Sequence, residues 1–389
     1  MSAATRNSGK RPRIQTQLDF DPWLLFTAVA LLAIGLVMVS SASMHLLDGR
    51  PWYFTQRQLA YVAIGVMVGV AVSRIRLVWW ERWGGWLLCA SMVALVLVLV
   101  PGVGHEANGA RRWLNLAVVK FQVSELVKLV LIVYLAGYLV RRGQEVRHSA
   151  LGFFKPLLVA MVISGLLLME PDFGAAVVVL ATAMVMAFLG GARLGYFLVS
   201  GVMVVVGLAL LAVTSPYRME RLTSFLNPWA DAQGSGYQLV QALIAIGRGE
   251  WFGVGLGSGV LKLDYLPEAH TDFVFAVLSE ELGFGGAVVV IGLFTVLVVR
   301  AFAIGVRAER GGAGFAAYLA YGIGVWLGMQ AFINIGVNLG ALPTKGLTLP
   351  LISYGGNSMV VTCVALALLL RVDDEARQAG RQAARGVMR

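Results

Sequence analysis

Long apolar runs separated by short polar connections recur along the chain from residue 22 to residue 371. They fall at Pro22 to Ser43, Arg57 to Ser73, Trp83 to Pro101, Val118 to Val140, Gly152 to Met169, Phe173 to Leu189, Leu194 to Val213, Thr271 to Val299, Phe315 to Leu339 and Leu347 to Leu370. A helix needs about 20 residues to cross the hydrocarbon. The pattern therefore predicts an all-α polytopic membrane protein of about ten transmembrane helices, the fifth and sixth being short. Met1 to Asp21 is polar and basic, without a cleavage site before the first span, and reads as a disordered cytoplasmic tail. Val372 to Arg389 is also polar and basic, a cytoplasmic helix or, preferentially, a disordered tail.

Composition agrees. Hydrophobic residues make up 58% of the chain and charged residues 13%, too few charges to solvate the surface of a soluble domain. The net charge of +10 raises the question of nucleic acid. The basic residues lie in short groups between apolar runs, however, with no stripe and no base-stacking module, which argues against that partner. With the N-terminus inside, most of the 31 Lys and Arg residues fall on the inner side, so both termini are expected in the cytoplasm. Cys89 and Cys363 each sit within an apolar run and read as buried thiols, and the four histidines are too scattered for a histidine metal site.

Three connections on the outer side depart from minimal turns. The first, Gly102 to Ala117, carries Arg111 and Arg112. The second is the break Glu170-Pro171-Asp172-Phe173-Gly174, which reads equally as a tight turn or as a broken helix around a binding site. The third, Thr214 to His270, is a large extracytoplasmic loop between helices 7 and 8. Loops of that length have folded parts. Tyr237 to Ile246 has helical apolar spacing but is too short to span, and glycines crowd Gly247 to Gly259. A short interfacial or re-entrant helix followed by a glycine-rich loop over the mouth of the bundle is expected.

A charge in mid-membrane costs ~3 kcal/mol or more, so ionisable residues in or near spans are candidates for a cavity. Lys120, Glu125 and Lys128 open the fourth span; Glu125 and Lys128, three apart, form either a structural ion pair or part of a cavity. In the stretch Leu266 to Glu281, Glu268, Asp272 and Glu280 are expected on one face of a helix starting near Pro267, with Asp272 either a chemical group or a cap. Asn334 to Ser358 holds repeated glycines, two prolines, Lys345 and Ser353, and reads as a broken element lining a polar outer cavity. Arg111, Arg112, Lys120 and Lys345 are then candidate anion ligands near Asp272, with Glu125, Lys128 and Ser353 as further candidate substrate contacts. Such a cavity suits a lipid-linked phosphate or diphosphate substrate, and equally a proton-coupled transporter.

These stretches resemble the SEDS family (shape, elongation, division and sporulation). The resemblance is carried by Asn108 to Asn115 with Gln122 to Lys128, Asn227-Pro228-Trp229-Ala230-Asp231 with Gly234 to Gly259, Leu266 to Leu282 and Asn334 to Ser358. Within the family, Leu342-Pro343-Thr344-Lys345-Gly346 and Trp229 resemble the cell-division branch. Asn357, where serine commonly follows the paired glycines, is a departure. The resemblance implies a ten-helix fold, peptidoglycan glycosyltransferase activity on lipid II, and catalysis by the carboxylate at the outer start of the eighth helix, here Asp272. It also implies work beside a class B penicillin-binding transpeptidase and other divisome membrane proteins. An α-linked donor and a β-linked polymer imply inversion with one general base, and a divalent cation, Mg²⁺ or Mn²⁺, is expected to help stabilise the departing diphosphate. A lipid II flippase and a non-catalytic divisome scaffold are the competing readings.

Overall fold

A computed structural model describes residues 20–47, 49–107, 110–116, 119–213, 219, 223–263, 265–344 and 346–387. The helices are α1 (Pro22–Ser43), α2 (Tyr53–Ser73), α3 (Leu77–Leu99), α4 (Val123–His148), α5 (Ala150–Met169), α6 (Phe173–Leu189), α7 (Leu194–Val213), α8 (Tyr237–Gly249), α9 (Val274–Arg310), α10 (Gly314–Asn338) and α11 (Gly356–Val387). Among the described residues, eight helices are long and apolar enough to cross a membrane: α1 to α5 and α9 to α11. The two shorter apolar helices α6 and α7 complete the pattern of ten runs. The lipid-facing sides of α2, α3 and α7 carry exposed valine, leucine and tryptophan, while α4 is buried almost all round and forms the centre of the bundle. This is a multi-spanning membrane protein.

Small residues set the closest helix approach. Gly65 and Gly69 of α2 lie one turn apart against Cys363 and Ala367 of α11, where a Cβ would come within 3.0 and 3.3 Å. Without a hydrophobic drive between helices in lipid, this close contact supplies the packing. Cys363 is buried, as expected, whereas Cys89 is exposed on α3.

The chain enters and leaves the bundle at the same, arginine-rich end. Asp21 caps α1 by accepting from the backbone N–H of Trp23 and Leu24 at 3.1 Å each, with Pro22 opening the helix. The same carboxylate accepts from Arg300 of α9 and lies 3.8 Å from Arg377 of α11. Arg307 and Arg377 both reach Asp373. These ties change the expectation for residues 372–387. The segment is helical, continuous with α11, because Val372, Asp373 and Asp374 are buried against the bundle. Pairs four apart, Arg371 with Glu375 and Asp373 with Arg377, support the helix beyond it. The expected N-terminal tail falls on residues 1–19, outside the described ones.

At the opposite, loop-rich end the all-α expectation gains an addition. Three antiparallel strands form a sheet there, β1 (Gly104–Ala107), β2 (Ala110–Leu116) and β3 (Val119–Gln122). Lys120-Phe121-Gln122 therefore belongs to a strand, and α4 starts at Val123. Period-two alternation places Leu114 opposite Phe121, and both pack against the core, which helical spacing would not achieve.

In the large loop, Pro228–Asp231 is a 3-10 turn and α8 is the expected short helix, burying Leu239, Val240, Ala242 and Ala245. The glycine-rich stretch that follows slots into a break in α9 at Gly283, where φ is +68°. There Phe284 and Gly285 donate to the carbonyls of Glu250 and Trp251, at 2.8 and 3.2 Å, while the carbonyls of Glu280 and Glu281 accept from Val254 and Gly255, at 3.0 and 3.1 Å. A Cβ at Gly283 would stand 2.4 Å from the Gly253 nitrogen, so the backbones meet only because both positions are glycine. The helix break leaves backbone groups without intrahelical partners, and the loop satisfies them.

Candidate active site at the loop-rich end

α9 begins at Val274 rather than near Pro267. Residues 265–273 are turns, Glu268 has a φ of +56°, and the carbonyl of Glu268 accepts from Thr271 and Phe273. The expected row of acids on one helical face is therefore not formed, because Glu268 and Asp272 precede the helix.

What places Asp272 is a pair of asparagines on α10. Asn334 and Asn338, four apart on one face, both donate to the Asp272 carbonyl, at 2.9 and 3.0 Å. Asn334 also donates to the carbonyl of Leu347 at 2.6 Å, and the side-chain oxygen of Asn338 accepts from Ala276 N–H at 3.0 Å. The start of α9 and the connection after α10 are thus clamped to one buried polar stripe. Asp272 itself is half-buried, and a Cβ at Gly346 would lie 2.8 Å from its Oδ2. Only glycine lets the 346–347 backbone pass so close to the carboxylate.

Beside it stands an aromatic wall. The His270 ring packs on Phe54 and Tyr354 at 4.8 and 5.5 Å between centroids, and Tyr354 N–H donates to the His270 carbonyl at 2.9 Å. Burial holds the His270 imidazole below its usual range, with Glu268 opposing. Arg57 donates to the hydroxyls of Tyr53 and Tyr61 at 2.7 and 3.2 Å.

Below the site, Gln330 continues the α10 stripe one turn deeper. Its amide donates to the Thr348 carbonyl at 3.0 Å, and its oxygen accepts from Lys128 and Trp326 at 2.9 Å each. Lys128 in turn pairs with Glu125 at 2.8 Å. The pair is buried, and among the described residues Glu125 Oε2 has no hydrogen-bond partner. Ser353 is likewise occupied, its hydroxyl accepting from Leu349 N–H at 2.7 Å and its carbonyl from Gln58 at 3.1 Å. Through these contacts Glu125, Lys128 and Ser353 tie α4, α10 and the 347–353 connection together.

The arginines separate. Adjacent residues of a strand point to opposite faces, so Arg111 and Arg112 diverge. Arg112 donates to the carbonyls of Glu170 and Pro171, at 3.1 and 2.7 Å, tying the sheet to the α5–α6 break. Arg111 is half-buried, in register with Glu106. Lys345 and the side chain of Lys120 lie outside the described residues. In the break itself, Asp172 caps α6 through Ala175 N–H at 3.1 Å, while both side-chain oxygens of the fully buried Glu170 lack hydrogen-bond partners among the described residues. Burial, with the charge of Asp172 adding to it and Arg112 opposing, pushes the Glu170 carboxyl up to about 8.

Glu280 and Glu281 are structural. Glu280 accepts from Arg248 at 3.2 Å and from Val260 N–H at 3.0 Å; Glu281 pairs with Lys262 and accepts from Ser41 of α1 at 2.7 and 2.8 Å. They fasten the glycine-rich loop to α9 and α1. Sequence reasoning passed over Lys262, Arg248 and Gln330. The spacing of Gln330, Asn334 and Asn338, four apart along an otherwise apolar helix, was the signal available for the clamp.

The bundle as a whole, a multi-spanning helical membrane fold, matches a known family. The family model FTSW_RODA_SPOVE, described as cell cycle protein, matches residues 22–378. The chain belongs to this family. A probable peptidoglycan glycosyltransferase FtsW of Nitrosococcus halophilus is 56% identical over 360 residues, 92% of this chain and 93% of that protein. The corresponding FtsW of Coxiella burnetii is 52% identical over 357 residues, 91% and 96% of the two chains. Among solved structures, the rod shape determining protein RodA of Thermus thermophilus matches with a TM-score of 0.67 at 32% identity, over 92% of this chain and 97% of that one. A chain from work on the structural coordination of polymerization and crosslinking by a peptidoglycan synthase complex matches with a TM-score of 0.77 at 32% identity, over 93% and 99%.

Proposed function

We propose that this protein polymerises lipid II into glycan strands as a peptidoglycan glycosyltransferase of septal cell-wall synthesis in cell division. The fold, the family and relatives such as the FtsW proteins above support the activity. The observation that carries the site is Asp272, half-buried and held at its backbone by two asparagines where the polar loops meet. In this reading the loop-rich end faces outward and the arginine-rich end, with both termini, lies in the cytoplasm.

Asp272 acts as general base. It takes the proton from the GlcNAc 4-hydroxyl of one lipid-linked unit as that oxygen forms its bond to the anomeric carbon of the other, and undecaprenyl diphosphate leaves from the opposite face with the bonding pair. A diphosphate leaves without a strong acid, so one carboxylate suffices. Arg111 and Lys345, from connections at the same end, are the proposed partners of the developing charge. Arg112, bound to the α5–α6 break, positions the sheet. A divalent cation fits the donor chemistry, since Mg²⁺ is commonly held by one or two carboxylates plus substrate phosphates, and Glu268 is the hard oxygen donor that would hold it beside the diphosphate. When bound it would supply charge neutralisation at the diphosphate. The aromatic wall of Phe54, His270 and Tyr354 offers faces for sugar rings, and the exposed apolar helix faces offer paths for the polyprenyl chains. A class B penicillin-binding transpeptidase is the proposed partner. The solved synthase complex, whose description couples polymerization to crosslinking, supports that choice.

The test is lipid II polymerisation by the purified chain with a catalytically dead transpeptidase, comparing wild type with Asp272→Ala. Glycan strands from the wild type and a loss of at least about 10²-fold in the variant, with unchanged folding, support the proposal. No strands from a folded wild-type complex supplied with cation would transfer the reading to a flippase or a scaffold.

A further inference from the structure

A second site lies at the arginine-rich end, away from the chemistry. α3, α4 and α5 enclose a groove of about 620 Å³ that opens to the lipid side. Toward mid-membrane its walls are apolar, with Met92 of α3 and Val159 and Val162 of α5. At the arginine-rich end they become polar, with Glu81 and Arg82 of α3 and Tyr134 and Arg141 of α4. The groove's shape comes from two adjacent glycines. Gly84 faces α4, where a Cβ would meet Val133 at 3.3 Å, and so allows the helices to close; Gly85 faces open space, with nothing within 4 Å, and leaves the groove empty beside it.

The charges there are not spent within the protein. At the same end Arg142 and Lys155 both pair with Glu145. Among the described residues neither Arg82 nor Arg141 makes an ion pair; Arg82 stands over the Trp79 ring at 5.9 Å. Trp79, Trp83 and Trp86, on the first turns of α3, are each about half exposed or more. Such tryptophans mark the headgroup level of a bilayer, so the two guanidiniums sit at the depth of lipid phosphates. Arginine is the side chain suited to forked recognition of a phosphate.

We propose that this groove is a binding site for an anionic glycerophospholipid of the inner leaflet. The phosphate lies between Arg82 and Arg141 with the Tyr134 hydroxyl as a further donor, and one acyl chain fills the space over Gly85 between Met92 and the two valines. Two arginines against one Glu81 leave a net positive lining, which selects an anionic headgroup over a zwitterionic one.

The test is native mass spectrometry of the purified full chain offered equal amounts of palmitoyl-oleoyl-phosphatidylglycerol and the matching phosphatidylethanolamine. Retention of phosphatidylglycerol in preference is expected, falling roughly fivefold in Arg82→Gln and again in Arg141→Gln, and rising in Glu81→Gln. Gly85→Leu, whose Cβ would enter open space beside the groove, should lower retention without lowering the thermal midpoint measured without lipid. Equal retention of the two lipids by the wild type, or unchanged phosphatidylglycerol retention in the double arginine variant, would overturn the proposal. Retention that falls equally for both lipids in the arginine variants would overturn the selectivity for an anionic headgroup.

Discussion

The two ends of the bundle handle charge in opposite ways. At the arginine-rich end, Asp21 and Asp373 are met by guanidiniums from other helices, and the pairs lock α1, α9 and α11 together. At the loop-rich end the acids divide by depth. Glu280 and Glu281 are locked in the same manner by Arg248 and Lys262. Asp272, nearer the surface, is positioned through its backbone carbonyl by neutral asparagines instead. Hydrogen bonds to the main chain fix where Asp272 sits, whereas Glu280 and Glu281 are fixed through their side-chain oxygens. Placement through the main chain and placement through the side chain are thereby divided among residues of one short stretch.

The largest test of this division removes a lock. Glu281→Gln leaves Lys262 buried without its counter-charge and should lower stability by roughly 3–5 kcal/mol, seen as a lower unfolding midpoint in detergent. The double change Glu281→Leu with Lys262→Met should recover much of that loss. If the single variant is as stable as wild type, the pair is not a lock.

The next test disturbs placement and leaves the locks intact. In Gly346→Ala the new methyl group enters the space of the Asp272 carboxylate, whose side chain can rotate away, so the fold should persist while polymerisation falls about 10²-fold. An unchanged rate would mean that the carboxylate orientation seen here does not matter to the reaction.

At the other end, Arg300→Gln should cost about 1–2 kcal/mol of stability, because Asp21 keeps its cap and Arg377 while losing its main partner. Activity per folded molecule should stay at the wild-type level. A drop in specific activity would show that the two ends are coupled.

A further test concerns Glu170, a buried acid whose side-chain oxygens have no hydrogen-bond partner among the described residues. Its native value of about 8 lies above the ordinary 4.5, so the native state favours the protonated form. Its contribution is most favourable below about 4.5 and is lost as pH rises through about 8. Glu170→Gln should therefore raise the unfolding midpoint more at pH 9 than at pH 5. A pH-independent shift would remove the buried-acid account.

Much of this organisation was legible in the chain. Hydropathy places the ten apolar runs, and the apolar spacing of Tyr237 to Ile246, too short to span, reads as the non-spanning helix that extends to Gly249. Asp272 stood out because a carboxylate at a span's edge needs a reason. Other features were hidden. Val119–Gln122 reads as the start of a helix until Leu114 is placed opposite Phe121 across the sheet. Val372 to Arg389 reads as either a cytoplasmic helix or a disordered tail until Arg307 is seen to reach Asp373 from α9. Arg111 and Arg112 read as equivalent until the strand turns them to opposite faces.

Sequence alone determined the solvent of this protein, the number of apolar runs and the inventory of groups available for chemistry. Transfer to lipid is close to additive over neighbouring residues, so a local window suffices. Tertiary structure alone decided which charges were neutralised and which carboxylate was placed by its backbone. Those outcomes depend on partners dozens or hundreds of residues away, as with Ser41 and Glu281 or Asp21 and Arg300, which meet only when the bundle closes.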